Sequence, residues 1–530
     1  MANSLLNRTL LISVVAILAL LLGVMYTVGT TTFADALRGY EIMEQFSAGG
    51  EWNSLSYPSV DNPTYSYYVA WWSPGQWVVP WIFMSLLSIE SFQVVQALII
   101  TICLPMALIG YGRLFTKLGF NKAIVYASLL CIVTNQLFYW HTMVYYGGDL
   151  LMLSIFPFFL LSLLKVEQRK YWVSLVVFFL FGLIGTFFKN TFLIVMIASL
   201  AFIFLRSSSF NVTKRLGYFL PFLIVAGLAY FFHISLGETP SSAIDIEGYN
   251  GIPNDLVGDL TYAIGSPANT FFRFDSLMKI VFQLANWSKT SFNYTQIIPV
   301  VLTILVVLRI VRKQEENDDY KKLLIVFSGL FFLAFIIMFL MDRAVSYELR
   351  HFAPVAFLFF PGILKWILSF KWKKLLITGV VLISLFDLGL YYRNQVEAGL
   401  TYADWKTLRL PVEEVEIKEE IERWSESNDG LVLIENRWQL AAGLTDVNKI
   451  VIRQKEYNFL DWYVSPGMEL ENVDCLVLNE LEGTDYKTVL FVHSRAVGFP
   501  NVEEMTSFSY VTSRPIAATA SYQLIEFVIN

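Results

Sequence analysis

The chain has 530 residues, of which 56% are hydrophobic, 16% aromatic and only 15% charged. A soluble globular protein needs more polar residues than this to cover its surface, so the composition indicates a chain that a lipid bilayer solvates. The formal charge is -6, and no cluster of basic residues indicates nucleic-acid binding. The three cysteines are scattered, which excludes a disulfide framework and a thiolate metal site.

Apolar runs of roughly span length predict about eleven transmembrane helices. The first, near 9–29, is long for a signal peptide, is barely basic at its front and lacks a persuasive small-residue cleavage site, so it is predicted to be a span. The other runs lie near 92–112, 122–139, 149–164, 171–188, 191–205, 216–235, 293–311, 322–341, 352–370 and 373–392.

Lys and Arg cluster in alternate loops, which fixes a predicted topology because cytoplasmic loops are enriched in these residues. The basic loops, predicted to be cytoplasmic, are 113–122, 165–170, 206–215, 309–322 and 371–374. The segments predicted to be outside are 30–91, 140–148, the corner at 189, 233–293, 342–351 and everything after 392.

Two segments need separate interpretation. The run 76–89 is apolar, but counting it as a span would place the basic loop 113–122 outside. Its tryptophans favour a helix lying at the outer membrane interface. Lys189 interrupts the run 171–205, and a lone Lys at mid-membrane costs about 3 kcal/mol. The run is therefore predicted to be two short helices that meet near the outer surface.

Beyond the last apolar run the composition changes abruptly. A charged helix is predicted over 413–427, and residues 396–530 are predicted to form a soluble extracytoplasmic α/β domain. Its predicted strands are 431–435, 449–453, 473–478, 488–493 and 523–529. Residues 1–395 would form the transmembrane domain, with extracytoplasmic loops at 30–91 and 236–292.

Polar residues gather at four places on the predicted outer face, and two of these carry acids. Asp35 and Arg38 have the spacing of one helical face, with Glu41 a further turn on. An acid beside a cation can stay ionised and act as a base. Asp149 follows two glycines at the mouth of a span. Each acid also has a purely structural interpretation. Asp35 would cap, or place a negative charge in, the first turn of an interfacial helix, and Asp149 would be a helix N-cap.

The other two places carry cations. Lys189 is a single cation at an apolar corner, which suits an anion such as a lipid phosphate, although interfacial snorkelling is the alternative. Glu348, Arg350 and His351 lie between two spans, where a surface salt bridge is the alternative. All four places fall on the same predicted side of the membrane, although the topology was predicted from different residues, the Lys and Arg of the loops. No metal site is predicted, because the remaining histidines lack ligand spacing.

Short motifs follow one another in a fixed order along the transmembrane part. They are Asp35-Ala-Leu-Arg38-Gly-Tyr40, Gly50-Glu51-Trp52, the stretch 72–77, the turn 112–115, Asp149, the corner 186–189 and Arg350-His351-Phe352-Ala353-Pro354. This order resembles the GT-C glycosyltransferases, in particular the protein O-mannosyltransferase and lipid A aminoarabinose transferase branch. The chain departs from that pattern at Ala36, where the family has a second acid, at an inserted Gly39, and at Ser73-Pro74.

The resemblance implies a polytopic α-helical GT-C enzyme of a bacterial cytoplasmic membrane, with a periplasmic C-terminal domain. It implies that a sugar passes, with inversion, from a polyprenyl-phosphate donor to a lipid, glycan or protein acceptor at the extracytoplasmic face. The catalytic residues would be Asp35, as the base, and Asp149, the second outer acid, which would orient the acceptor or Arg38. The residues that would bind substrates are Arg38, Tyr40, Glu41, Lys189, Arg350 and His351. No cofactor is predicted, and the implied partners besides substrates are membrane lipids.

Two other classes of function stay open at this point. A transporter or flippase of lipid-linked saccharides also needs many helices and interfacial cations, but transporters usually contain internal repeats and discontinuous helices at the midplane, and the sequence shows neither. A non-catalytic scaffold would use the C-terminal domain to bind a partner. In that case, Asp35 and Asp149 would be replaceable without consequence.

Overall fold

A computed structural model describes most of the transmembrane part and portions of the C-terminal part. The described residues are 2–32, 34–47, 49–56, 66–68, 73–206, 211–232, 256–274, 297–312, 317–341, 348–401, 412–428, 430–435, 440, 444, 447, 449–452, 488–494, 511–519 and 522–529. The predicted strand 473–478 lies outside them.

Helices dominate the described residues. In chain order they are α1 (Ala2–Val28), α2 (Ala34–Ser47), α3 (Gly75–Leu87), α4 (Phe92–Lys117), α5 (Lys122–Val133), α6 (Gln136–Tyr139), α7 (Gly148–Leu163), α8 (Tyr171–Phe188), α9 (Phe192–Arg206), α10 (Val212–Leu216), α11 (Phe219–Tyr230), α12 (Leu256–Phe272), α13 (Ile297–Arg312), α14 (Asp318–Leu340), α15 (Ala353–Ala356), α16 (Phe360–Ile367), α17 (Lys373–Thr401) and α18 (Val412–Ser427). The strands are β1 (Thr31–Thr32), β2 (Ser54–Ser56), β3 (Ser66–Tyr68), β4 (Val144–Tyr145), β5 (Leu431–Glu435), β6 (Lys449–Ile452), β7 (Thr488–Ser494), β8 (Val511–Ala518) and β9 (Tyr522–Ile529).

The helices form a polytopic membrane protein, as the composition predicted. Within the described residues, six helices are long and apolar enough to cross a membrane, or seven if α5 and α6, which meet at a 63° bend, count as one span. Each of the eleven predicted runs is helical. The count of full-length spans is lower because several runs form short apolar helices, such as α7 with 16 residues and α9 with 15.

The helix predicted at the outer interface is α3, which is buried over its first half and exposed towards its other end. Its first half is buried, and Trp77 donates from Nε1 to Oδ1 of Asn53 at 2.8 Å within the first loop. Leu86, near the other end, is 78% exposed. A side chain at Gly75 would begin 2.6 Å from the carbonyl oxygen of Phe187. The glycine therefore lets α3 pack directly against the end of α8.

The predicted outer loop 236–292 contains a helix, α12, that packs into the core of the bundle. Ala263 and Phe271 are buried, and the Tyr262 ring lies 6.1 Å from that of Phe352. Hydropathy did not reveal α12 because glycine, serine, proline and asparagine interrupt its apolar residues. Other helices bury α12, and an average of hydropathy over neighbouring residues in the chain contains no information about those contacts.

A buried ion pair holds the end of α12 inside the bundle. Arg273 donates to Asp387 of α17, and both side chains are about 5% exposed. Arg273 also donates to the carbonyl of Thr134, at the break between α5 and α6. Beside it, Nδ2 of Asn135 donates to the carbonyl of Thr270 at 2.7 Å. These bonds satisfy charges and backbone groups that lipid cannot solvate, so the bend is a fixed part of the structure.

The C-terminal part contains the small α/β structure that the sequence predicted. Its sheet has the order β6-β5-β7-β9-β8, parallel from β6 to β7 and antiparallel from β7 to β8. Ile421 and Trp424 of α18 pack with Val432 and Leu490 of the sheet. Strand β8 was not predicted, because it contains Pro515 at a register shift, a position that only an edge strand or bulge tolerates.

We expect single replacement of Asp387 by Ala to lower the free energy of unfolding by about 3–5 kcal/mol, because it leaves Arg273 buried without its partner. The double variant Arg273→Met/Asp387→Leu should recover most of that loss, since it removes both charges together. Thermal unfolding in detergent measures both effects.

The exposed pair Arg393 and Glu397 on α17 supplies the control, since its side chains are 71% and 57% exposed. Replacing both by Gln should change stability by less than about 1 kcal/mol. If the Asp387→Ala protein had the same melting temperature as the control, the buried pair would contribute nothing to stability.

Candidate active site

A short parallel ladder brings the first loop beside the start of α7. Thr31 of β1 pairs with Val144 of β4, and Thr32 pairs with Tyr145. Thr32 also donates to Oε1 of Gln96 on α4 at 3.0 Å. Asp35 follows this ladder by three residues and Asp149 by four. The ladder therefore sets the backbones of two sequence-predicted acids beside each other at one end of the bundle.

The two glycines before Asp149 lie where no side chain fits. Gly147 has φ +54°, and a Cβ there would lie 2.9 Å from Cβ of Gln76 and 3.7 Å from that of Ala36. A Cβ on Gly148 would overlap the carbonyl oxygen of Phe188. Close approach of α2, α3 and α8 to the start of α7 thus requires both glycines, and that approach sets the position of Asp149.

Asp149, Lys189 and Arg350 form a compact cluster, named here the outer cluster. Asp149 accepts from Nζ of Lys189 through one oxygen, and from Nη1 of Arg350 at 3.1 Å through the other. Their side chains are 9%, 16% and 13% exposed respectively. Lys189 follows the last residue of α8, and Arg350 lies in the turn before α15. Three distant segments thus contribute one residue each to a nearly buried charge group.

His351 extends the outer cluster through Lys189. Its Nδ1 lies 3.2 Å from Nζ of Lys189, and its ring stacks on Phe335 at 6.0 Å. An ammonium group only donates, so Nδ1 accepts and the ring proton resides on Nε2. Burial, together with the charges of Lys189 and Arg350, holds the pKa of His351 well below its usual range. The ring is therefore neutral at physiological pH.

Arg350 has further partners on the side of the cluster away from Lys189. It donates from Nε to Glu348, which is 39% exposed, and its guanidinium lies 5.0 Å from the centre of the Tyr146 ring. The edge of Tyr146 in turn contacts the buried His141. Neither Tyr146 nor His141 could be selected from the sequence, because an aromatic residue or a lone histidine in an apolar chain has no diagnostic spacing.

The structural alternatives for these residues can now be compared with the geometry. The cap of α7 is Gly147, without a side-chain bond, so Asp149 is not an N-cap. Lys189 forms an ion pair within the protein and is not directed into lipid as a snorkelling side chain would be. The predicted salt bridge between Glu348 and Arg350 is present, as one part of the larger cluster.

The first acidic motif lies on α2. The side chains of Asp35 and Arg38 lie outside the described residues, whereas the backbone of both is helical. Tyr40 donates its hydroxyl to Glu44, and its ring lies 4.6 Å from Phe92, so these contacts are separate from the outer cluster. Burial and the nearby Glu44 raise the Tyr40 pKa.

Two further observations bear on α2 and on metal binding. Glu41 is buried on α2. Among the part of the chain that the structure describes, no group of three or more His, Cys, Asp or Glu side chains could hold a metal ion.

The neutral state of His351 makes stability depend on pH. An unfolded histidine takes up a proton near pH 6.5, whereas folded His351 resists it, so acidification favours the unfolded state. We expect the melting temperature of the wild-type protein to fall more steeply between about pH 6.5 and pH 5 than that of His351→Gln. Equal slopes for the two proteins, measured by thermal unfolding in one detergent, would contradict this.

Comparison with known proteins identifies the fold. ArnT from Cupriavidus metallidurans bound to undecaprenyl phosphate has a TM-score of 0.55 at 12% identity, over 97% of this chain and 97% of ArnT. Its apo structure has a TM-score of 0.54 at 11% identity, over 99% and 98%. The oligosaccharyltransferase AglB from Archaeoglobus fulgidus, in complex with an inhibitory peptide and a dolichol-phosphate, has a TM-score of 0.44 at 11% identity, over 90% and 69%.

No family model matches the chain, and no curated protein is significantly similar to it in sequence. The likeness to ArnT extends over nearly the whole length of both chains, including the small C-terminal sheet region. The chain thus has the polytopic membrane fold of the GT-C glycosyltransferases, as the order of its motifs predicted.

Proposed function

We propose that this protein is a membrane glycosyltransferase that moves a sugar from a polyprenyl-phosphate donor to a lipid, glycan or protein acceptor. The reaction would take place at the extracytoplasmic face of a bacterial cytoplasmic membrane, with the C-terminal domain in the periplasm. The fold shared with ArnT, whose structure holds undecaprenyl phosphate, supports a polyprenyl-phosphate partner. The observation that carries the proposal is the pairing of two cations of low exposure, Lys189 and Arg350, in the outer cluster.

The outer cluster places two cations of low exposure side by side, with Asp149 and Glu348 as carboxylate partners. Lys189 and Arg350 share the single carboxylate of Asp149, and His351 is neutral. Glu348 balances Arg350 only from the more exposed side. A cation of low exposure needs an anion, and fixed cations stabilise a phosphate more strongly in a poorly solvated site than in water. A donor phosphate would bond to the same two cations.

The chemistry assigned to this site is a single displacement at the anomeric carbon of the sugar. The acceptor oxygen or nitrogen forms the new bond while the bond from that carbon to the phosphate oxygen breaks. The departing polyprenyl phosphate keeps the electron pair, and the acceptor proton passes to a carboxylate. Lys189 and Arg350 would stabilise the phosphate as charge develops on it. The phosphate leaves without needing a proton at neutral pH, so one carboxylate suffices.

Asp35 is the carboxylate proposed to take the acceptor proton. The β1–β4 ladder and the contact of Ala36 with the Gly147 position set its backbone next to the start of α7. Asp149 suits this role less well, because both of its oxygens already bond cations. We assign Asp149 the role of a positioning residue that holds Lys189 and Arg350 at the spacing a phosphate requires.

A transporter of lipid-linked saccharides is the competing function, and the bend between α5 and α6 is the feature that favours it. Transporters use broken helices to line substrate sites at the midplane. Here, however, the break is bonded to the end of α12 through Asn135 and Arg273. Because other parts of the protein occupy the hydrogen-bonding groups at this break, the break has a structural role. The outer cluster contains no residue of the break, and the transferase hypothesis explains that cluster as well.

Replacement of Asp35 by Asn tests the base. The variant keeps the shape of the side chain but loses its proton affinity, and we expect turnover to fall about 100-fold or more with normal expression. Transfer from a radiolabelled polyprenyl-phosphate sugar in membranes measures the rate. Glu90→Gln is the matched control, since Glu90 is an exposed acid between α3 and α4. Turnover near that of the control would exclude Asp35 as the base.

Replacement of Lys189 by Gln tests phosphate binding. Loss of one charge-assisted bond should raise the apparent KM for the donor about tenfold to a hundredfold, while the acceptor KM changes little. Lys189→Arg should restore part of the affinity, because it keeps the charge. Lys170→Gln, an exposed lysine before α8, is the control. A donor KM equal to that of the control would remove Lys189 from the phosphate site.

A further inference from the structure

A large groove opens at the membrane face opposite the outer cluster. It lies between α1, α4, α5, α7 and α8 and encloses about 1150 Å³. That exceeds the roughly 300–1,000 Å³ of typical small-molecule pockets. Helix α7 starts beside the outer cluster and runs 16 residues, about 24 Å, to the loop at the mouth of the groove. The groove is therefore separate from the proposed sugar-transfer site.

The body of the groove is apolar. Leu11, Val14 and Leu18 line it with the spacing of one face of α1. Leu108 and Ile109 line it from α4, and the side chain of Ile109 is 51% exposed. A space of this size with apolar walls, set within membrane helices, suits a hydrocarbon chain.

The mouth of the groove carries four cations. Arg113 and Lys117 come from the last turns of α4, and Lys165 and Arg169 come from the connection between α7 and α8. Among the described residues that line the groove, none is acidic. Nη1 of Arg169 is buried and makes no hydrogen bond to any described residue. A donor that is buried without an acceptor costs free energy, which a bound anion would recover.

We propose that this groove binds an anionic phospholipid from the leaflet on its side of the membrane. The phosphate would lie among the four cations, and an acyl chain would lie along the apolar walls between α1 and α4. Basic pockets between transmembrane helices on the cytoplasmic side recognise anionic headgroups in this way. The basic loops that form the mouth are those predicted to be cytoplasmic, so the ligand would come from the cytoplasmic leaflet.

The test measures lipid retention by the purified full-length protein. Native mass spectrometry in mixed micelles counts the molecules of phosphatidylglycerol and of phosphatidylcholine that stay bound. We expect the wild-type protein to retain phosphatidylglycerol selectively. Arg113→Gln/Lys117→Gln should weaken that binding about thirtyfold, since each cation near a lipid surface contributes about one factor of five. Lys373→Gln/Lys374→Gln removes the same charge outside the groove, at the start of α17, and should not weaken it.

A second variant tests the apolar part of the groove with all charges kept. Ile109→Trp should fill the space against α1 and displace the lipid, whereas Ile102→Trp should not. Ile102 is 44% exposed on the same helix but does not line the groove. Thermal unfolding identifies variants that fold, and the test needs no enzyme assay, so it is independent of the sugar-transfer reaction.

Three results would overturn the proposal. One is equal retention of phosphatidylcholine and phosphatidylglycerol by the wild-type protein. Another is retention of neither lipid, which would mean that something else covers the groove. The last is phosphatidylglycerol binding that is unaffected both by Arg113→Gln/Lys117→Gln and by Ile109→Trp.

Discussion

One carboxylate shared by two cations joins three segments of this molecule at one end of the helical bundle. Asp149 receives Lys189 from the corner after α8 and Arg350 from the turn before α15, so three segments far apart in sequence meet at one side chain. Without it, two like charges of low exposure would face each other and repel. The glycines at 147 and 148 place the carboxylate there by admitting three neighbouring elements to close contact. The arrangement of the proposed phosphate site thus follows from backbone packing.

Much of the fold could be predicted because membrane proteins encode it in local patterns. Apolar runs located the helices and interrupting charges located their ends; α8 ends at Phe188, immediately before Lys189. The strands β5, β6, β7 and β9 were also predicted to within one residue at each end. At 12% identity to ArnT, the same fold forms from a largely different sequence.

The features that sequence reasoning missed all depend on contacts between distant parts of the chain. Helix α12 has too few apolar residues to stand out, and it becomes buried only because other helices surround it. The pairing of Arg273 with Asp387 joins positions 114 residues apart. For the candidate site, charge topology predicted a common face for Asp149, Lys189 and Arg350. It could not predict that Asp149 would bond both cations, since that requires knowing where the helices end in space.

The separation between Arg273 and Asp387 has a consequence for how the protein is made. A ribosome completes Arg273 more than a hundred residues before its counter-ion exists. The buried pair can therefore form only after α17 has been synthesised, so the end of α12 reaches its final environment late in assembly.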